Sequence, residues 1–165
     1  MKPILRICVL GRLTVRLGAP TAEPLNFAAQ RAEVMLAYLA LHPHAHSREA
    51  FATLLWDDRT HKRSLSNLRS LLAQLPGEIK PYINANRKTI AINNDLPIWV
   101  DVQVLEAQLR GDTAAKQEPN IAETAEAIKL YRGDFLEGIF VRESRGLEEW
   151  ATLMRERYQQ LALKA

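Results

Sequence analysis

The sequence predicts an α+β fold in its first part and an all-α fold in its second part. Strand-like runs of β-branched and aliphatic residues fall before residue 94, and the later periodic segments have helical spacing. Residues 1–94 hold 13 Lys and Arg against 6 Asp and Glu, a net charge of +7, whereas residues 95–165 hold 9 against 13, a net charge of −4. We therefore predict a basic module that meets a polyanion and an acidic module that meets protein.

The first part begins with strands. Residues 5–10 and 13–17 are aliphatic runs separated by Gly11, which predicts two antiparallel strands, and residues 25–27 form a third short strand. Residues 28–41 have the wide apolar face of a buried helix, and Pro43 ends it.

Two further helices and a hairpin follow. Ser47 is the predicted N-cap of a helix that runs to Trp56, and Thr60 begins the next helix, which ends at Pro76 and Gly77. Residues 82–85 and 89–93 are strands of a hairpin around a basic turn. This order of elements indicates a winged helix-turn-helix domain with an added N-terminal antiparallel sheet, over residues 1–94.

The second domain, residues 95–165, is predicted to be helical at 100–109, 121–131 and from 147 onward, with connections at 111–120 and 133–146. No Gly, Pro or other stop signal follows the last helix before Ala165. We therefore expect the chain to be cut inside a longer helical domain.

The helix at 60–75 is the most informative segment for function. At about 100° per residue, its apolar arc consists of Leu65, Leu68, Leu71, Leu72 and Leu75. The opposite arc consists of Lys62, Arg63, Ser66, Asn67, Arg69, Ser70, Ala73 and Gln74, and no carboxylate lies in the segment. Such a face suits the major groove of DNA, where cations meet guanine edges and phosphates. An ordinary solvated amphipathic helix has a similar composition, so the preceding helix and the following basic hairpin support the DNA interpretation.

Several motifs in this order resemble the SARP family of bacterial transcriptional activators. They occupy residues 6–11, 30–41, 47–50, 54–56, 67–70, 99–102, 130–138 and 148–150, and the string Leu-Tyr-Arg-Gly-Asp-Phe-Leu-Glu-Gly at 130–138 is the most distinctive. The resemblance implies an OmpR-type winged helix followed by a truncated bacterial transcriptional activator domain with tetratricopeptide-like helices. It implies a sequence-specific DNA-binding activator with double-stranded DNA as its partner. For the helical part it implies protein–protein work, which is formation of a homodimer, packing onto the winged helix or contact with RNA polymerase.

The resemblance also implies site residues. The residues expected to enter the major groove are Lys62, Arg63, Ser66, Asn67, Arg69 and Ser70. The turn between the two helices, Asp57, Asp58 and Arg59, would touch RNA polymerase, although a polar turn needs no such role.

The residues themselves suggest how each contact is made. We expect Ser66, Asn67 and Ser70 to meet base edges, and Lys62 and Arg69 to hold phosphates. Arg87 and Lys88 at the hairpin turn fit a wing on the adjacent groove, and charged turn residues also serve solubility alone. Arg48 is expected either to bind a phosphate together with the free N–H groups at the start of its helix or to be a surface residue without a function in binding.

Other functions have little support. The single cysteine, Cys8, excludes an internal disulfide and fits a reducing compartment. No secretory signal is visible, and the longest apolar run, residues 34–41, is far shorter than the ~20 residues that span a bilayer. We expect a cytoplasmic protein without contact to a membrane.

The residues point to no catalysis and no bound cofactor. His42, His44 and His46 lack further ligands for a structural metal site, and no nucleophile motif or phosphate loop is present. The alternatives that remain are a winged-helix scaffold that no longer binds DNA, which the modest arginine content favours, and an RNA-binding or nucleotide-handling enzyme, for which no residue set argues.

Overall fold

The computed structural model describes residues 2–57, 59–110, 121–139 and 144–163. The fold mixes α-helices with two small sheets. The strands are Leu5–Cys8 (β1), Thr14–Leu17 (β2), His46–Ser47 (β3), Ile83–Ala85 (β4), Thr89–Ile92 (β5) and Ile98–Val100 (β6). The helices are Gln30–Leu41 (α1), Arg48–Leu55 (α2), His61–Ala73 (α3), Asp101–Arg110 (α4), Ile121–Ile128 (α5) and Arg145–Leu163 (α6), with a 3₁₀ turn at Lys80–Tyr82.

The first sheet has the strand order β2-β1-β6. β1 and β2 are antiparallel, as predicted, while β6 pairs with β1 in parallel, with Ile7 opposite Val100. β6 was not predicted, because three residues that run directly into α4 show no period of their own. β6 lies beyond the predicted boundary at residue 94 and completes a sheet begun near the start of the chain. The division into two domains stays a prediction.

The second sheet has the order β3-β5-β4 and is antiparallel. The predicted hairpin is confirmed as β4 and β5, with Ile83 opposite Ile92. The two-residue strand β3 was not predicted. The predicted third strand at 25–27 is wrong: the segment has no ladder, and the Leu25 N–H donates to the Val15 carbonyl in a single bond of 2.8 Å.

One hydrophobic core joins the two sheets and the six helices. α1 contributes its apolar face, including Met35, Leu36 and Leu39, and the second part contributes Val102, Leu105 and Phe135. The predicted helices after residue 95 are confirmed as α4, α5 and α6, and the predicted connections lie partly outside the described residues, at 111–120 and 140–143. Among the described helices, none is both long and apolar enough to cross a bilayer.

The long helix α6 packs across both parts of the chain. At its start, the Ser144 hydroxyl donates to the Leu55 carbonyl at the end of α2, and Trp150 packs edge-on against Tyr38 of α1 with 4.8 Å between ring centroids. Near its other end, Arg157 pairs with Glu106 of α4 at 3.4 Å. α6 therefore links the first helices to the helical part.

Candidate nucleic-acid interface

α3 is fixed against the end of α2 by polar contacts at its first turn. The Thr60 hydroxyl oxygen caps the helix by accepting from the Arg63 N–H at 3.2 Å, as predicted. The buried Ser64 hydroxyl donates to the Trp56 carbonyl at 2.9 Å. Leu68 and Leu71 of α3 lie in the core. These contacts define which side of α3 is turned outward.

The outward side of α3 carries most of the predicted contact residues. The exposed ones are Lys62, Arg63, Ser66, Arg69 and Ser70. Asn67 is only half-exposed, and at about 100° per residue it lies at the flank rather than the middle of the outward face. Lys62 and Arg69 lie closer to the centre of the outward face, about one helical turn before and one turn after Ser66 along the helix. Ser66 and Ser70 are therefore better placed than Asn67 to reach a base edge.

The turn of the β4–β5 hairpin is held by one asparagine. The Asn86 side-chain oxygen accepts from the Lys88 and Thr89 N–H groups, both at 2.8 Å, and the Asn86 N–H donates to the Thr89 carbonyl at 3.0 Å. Arg87 and Lys88 are exposed at this turn. An asparagine that bonds the backbone two residues on is a usual turn device. The role of Asn86 was not predicted, although its residue type and its place in the turn were a usable signal.

The first turn of α2 lies between the hairpin turn and the start of α3. Arg48 donates from Nη1 to the Asn86 carbonyl at 2.7 Å, and its N–H donates to the Lys88 carbonyl at 2.9 Å. On the other side, Glu49 approaches His61 of α3 at 3.5 Å. Both contacts join residues from different elements, so no local pattern announces them. Together they connect the first turn of α2 to the hairpin turn and to the start of α3.

We use the name basic surface for the predicted contact residues that are exposed on α3 and at the hairpin turn, together with the half-buried Arg48. They are Arg48, Lys62, Arg63, Ser66, Arg69, Ser70, Arg87 and Lys88. Arg48 stabilises the hairpin turn through its hydrogen bonds to the Asn86 and Lys88 carbonyls, and a phosphate contact is also expected of it. Glu49, in the first turn of α2, is an exposed carboxylate outside the acid-free segment 60–75.

The turn between α2 and α3 lies against the start of α6. The Asp57 carboxylate accepts from the Arg145 N–H at 2.6 Å, and the end of α2 accepts from Ser144. Arg59 is exposed in the same turn, and Asp58 lies outside the described residues. One residue of the turn that was predicted to contact polymerase, Asp57, therefore binds the backbone of Arg145, the first residue of α6.

The three histidines after α1 take part in an aromatic cluster. The His42 ring stacks on Tyr38 with 4.2 Å between centroids, and its Nδ1 lies 2.9 Å from the Tyr38 carbonyl. Burial lowers the pKa of His42, and the neighbouring His46 and His44 lower it further. In the part of the chain that the structure describes, no three His, Cys, Asp or Glu side chains converge to hold a metal ion.

Two ionisable side chains beside the first sheet are shielded from water for structural reasons: Asp101 of α4 is buried and Cys8 of β1 is half-buried. Asp101, which begins α4, accepts from the Val9 N–H at 3.0 Å and the Leu10 N–H at 3.1 Å. Burial nevertheless raises the pKa of Asp101, and burial also raises the pKa of Cys8. A thiol with a raised pKa is a poor nucleophile.

No protein-family model matches the chain, and no curated protein matches it. Among solved structures, the fold is similar to that of Mycobacterium tuberculosis EmbR in complex with a low-affinity phosphopeptide, with a TM-score of 0.57. The aligned sequences are 14% identical and cover 97% of this chain and 43% of the EmbR chain. The chain thus spans less than half the length of that protein, and at this identity the similarity shows a shared fold alone.

Proposed function

We propose that this chain is a sequence-specific DNA-binding regulator of transcription of the SARP type. In this proposal, residues 1–94 are an OmpR-type winged helix, and residues 95–165 begin a bacterial transcriptional activator domain. The similarity to EmbR supports the overall fold of such an arrangement over nearly the whole chain. The motifs at 130–138 and 30–41 support the family.

The observation that carries the proposal is the bridge made by the first turn of α2. Arg48 contacts the hairpin turn and Glu49 contacts the start of α3, so the first turn of α2 connects the two elements that carry the cations. A recognition helix in the major groove and a basic loop on the neighbouring backbone need such a connection. A charge at the hairpin turn that served solubility alone would need no connection to α3.

Each side chain has a role that follows from its chemistry. Lys62, Arg69, Arg87 and Lys88 neutralise phosphates, which supplies most of the sequence-independent affinity. Ser66 and Ser70 offer hydroxyl donors and acceptors to base edges, and Arg63 reaches a phosphate or a guanine.

A titration of labelled random-sequence duplex with the chain at low salt tests DNA binding. We expect binding in the micromolar range or tighter, because non-specific binding has dissociation constants of about 10⁻⁴–10⁻⁶ M even at physiological salt. The affinity should fall steeply as salt is raised. If no binding is detected at low salt, the proposal is wrong, and the scaffold function explains the fold better.

A selection of bound duplexes from a random pool then tests sequence specificity. A regulator enriches a defined motif, and a working dimer enriches two half-sites at a fixed spacing of about one helical turn or a multiple of it. A pool that stays random despite tight binding contradicts sequence-specific regulation.

Activation through RNA polymerase belongs to the same proposal. Arg59 is exposed in the turn between α2 and α3, and we propose that it contributes to a polymerase contact. In a reconstituted transcription assay with the selected site, at protein concentrations that saturate the DNA, replacement of Arg59 by Ala should reduce activation. Unchanged activation contradicts the polymerase contact and leaves DNA binding standing.

A further inference from the structure

A cavity of about 650 Å³ lies between the first part of the chain and the segment that follows α5. It is lined by residues 12–14, residues 24–26, the start of α1 and residues 137–139. Small-molecule sites in proteins usually have volumes of about 300–1,000 Å³. Among the described residues that line this cavity, none belongs to the basic surface, so a ligand bound here leaves the proposed DNA contacts open.

Residues 134–137 are held against the turn between β1 and β2 in a strained conformation. Leu136 has a φ of 52°, in the left-handed region that residues other than glycine rarely adopt. Its N–H donates to the Val9 carbonyl at 2.8 Å, and the Glu137 N–H donates to the Gly11 carbonyl at 3.0 Å. Strained backbone persists only where its surroundings fix it, and it is frequent at ligand sites. These bonds fix the backbone of Glu137 at the cavity.

The side chain of Glu137 is exposed, and its carboxylate lies over Gly133. A Cβ atom at position 133 would come within 2.7 Å of the Glu137 Oε2, so the glycine leaves the space that this carboxylate occupies. In the part of the chain that the structure describes, the carboxylate has no hydrogen-bond donor and no ion-pair partner. Glu137 therefore presents an uncompensated negative charge to the cavity.

A second carboxylate reaches the cavity from the first turn of α1. Glu33 is half-buried, and burial raises the pKa of Glu33, while the Arg12 guanidinium lowers it. The two side chains form no ion pair, and neither has a hydrogen-bond partner among the described residues. Loss of water without a compensating partner is unfavourable for a charged group. The charged side chains that line the cavity are thus two carboxylates and one guanidinium, so the lining is negative.

We propose that this cavity, which we call the Glu33 cavity, binds a basic amino acid, which is lysine, arginine or a close relative. Such a ligand has two cationic groups and one carboxylate, so its charges are the complement of those that line the cavity. Glu33 and Glu137 each accept hydrogen bonds from one cationic group, and Arg12 binds the carboxylate of the ligand through two parallel N–H donors.

The other side chains at the cavity suit this ligand. The Asn26 and Gln30 amides are exposed, and in the described part of the chain neither has a hydrogen-bond partner, so both offer donors and acceptors. Leu13, Pro24 and Leu25 provide apolar contact for the methylene groups of the ligand. Because the ligand contacts α1 and residues 137–139 together, its binding stabilises the folded chain.

Isothermal titration calorimetry of the 165-residue chain without DNA tests this site, with L-lysine and L-arginine as probes. We expect saturable binding of at least one of them and a melting temperature that rises with its concentration. The matched analogues L-norleucine and L-citrulline lack the side-chain cation, whereas cadaverine and agmatine lack the carboxylate. Each analogue should bind at least about tenfold more weakly than the amino acid that it matches.

Variants of the lining test the role of each charge. Glu33→Gln and Glu137→Gln keep the size of the side chain and remove its charge, so each should weaken binding of the amino acid at least about tenfold. Arg12→Gln should remove the preference for the amino acid over cadaverine or agmatine, because the carboxylate loses its partner. The control Glu78→Gln changes an exposed site that does not line the cavity and should bind like wild type.

Three results would overturn the inference. They are no saturable binding of L-lysine or L-arginine at millimolar concentration, analogues that bind as tightly as the amino acids, and a Glu137→Gln variant that is folded by circular dichroism and has wild-type affinity. If Glu33→Gln does not fold, the exposed Glu137 decides the question. DNA binding is measured separately and its proposed contacts use none of these side chains, so failure of this inference does not affect the proposed function.

Discussion

Single polar side chains determine where the helices of the basic surface begin. The Ser47 oxygen accepts from the Ala50 N–H at 3.3 Å, and the Thr60 oxygen accepts from the Arg63 N–H at 3.2 Å. Each satisfies a backbone donor that has no partner inside its helix. Both N-caps were predictable from sequence because capping depends on residues three positions apart.

Replacement of Thr60 by Ala should lower the free energy of unfolding by about 1 kcal/mol, because the Arg63 N–H loses its acceptor. Urea denaturation measures this change. Thr60→Ser keeps the oxygen and should stay within a few tenths of a kcal/mol of wild type. An alanine variant as stable as the serine variant would show that the cap does not stabilise α3.

His42 should make the fold sensitive to mild acid. Because burial lowers the pKa of His42 in the folded chain, the neutral ring is favoured by folding, and its contribution to stability is lost as the pH falls below the ordinary value of 6.5. The free energy of unfolding should therefore decrease between about pH 7.5 and about pH 5.5. His42→Phe, which keeps a ring against Tyr38, should lose less stability over this interval.

His44→Gln is a comparison variant, since His44 is exposed in the same segment and is the smallest of the causes that lower the pKa of His42. It should change the pH profile, measured by urea denaturation at each pH, less than His42→Phe does. A wild-type profile and a His42→Phe profile that run parallel would contradict the role of His42. Asp101 is present in both proteins, so subtracting the His42→Phe profile from the wild-type profile removes its contribution. Because the pKa of Asp101 is raised in the folded chain, its contribution to stability increases as the pH falls, opposite to that of His42.

The limits of prediction from sequence are also visible at the residue scale. The exposed cations of α3 were predictable because one helical period separates an inward face from an outward face. The Arg48–Asn86 and Glu49–His61 contacts were not, because each depends on how two elements are placed in space. The half-buried position of Asn67 likewise depends on the direction in which α3 packs.

Among the elements, long helices were predicted well and short strands poorly. α1, α3 and α6 each contain enough residues to show an apolar period. β3 and β6 contain two and three residues, and each exists through a partner strand that lies far away in the chain. Such strands carry no pattern of their own, and residues 25–27 show that an apolar run without a partner does not form a strand.

The hairpin turn acts as a unit in the proposed DNA contact. If Arg87 and Lys88 each neutralise one phosphate, replacing both by Ala should reduce the slope of log affinity against log salt by about 0.9 for each contact. Fluorescence anisotropy with duplex DNA at several salt concentrations measures the slope. The contact with DNA at this turn is excluded if affinity and slope both stay at wild-type values.

At the scale of the whole molecule, α6 joins the two parts of the chain. It contacts the end of α2 and the ring of Tyr38 in the first part, and the side chain of Glu106 in the second part. One core contains residues from both predicted domains, and β6 belongs to the first sheet. The opposite net charges of the two parts therefore coexist in a tightly joined structure.

This architecture predicts a single cooperative unfolding transition. Far-UV circular dichroism follows all helices, whereas tryptophan fluorescence follows Trp56, Trp99 and Trp150 at three places in the chain. Because the core is continuous, both signals should give the same midpoint in urea. Two separated midpoints would show that residues 1–94 and 95–165 unfold independently, as two domains joined by few contacts do.

The outward face of α3 is the centre of the proposed DNA-binding surface. The most direct measurement compares the salt dependence of duplex binding for wild type, for Lys62→Ala with Arg69→Ala, and for a control, Lys2→Ala with Lys129→Ala, which removes the same charge from exposed sites away from α3. We predict that the α3 variant loses affinity and that its slope falls by about 0.9 per lost contact, while the control matches wild type. Equal behaviour of the two variants would contradict DNA binding through α3.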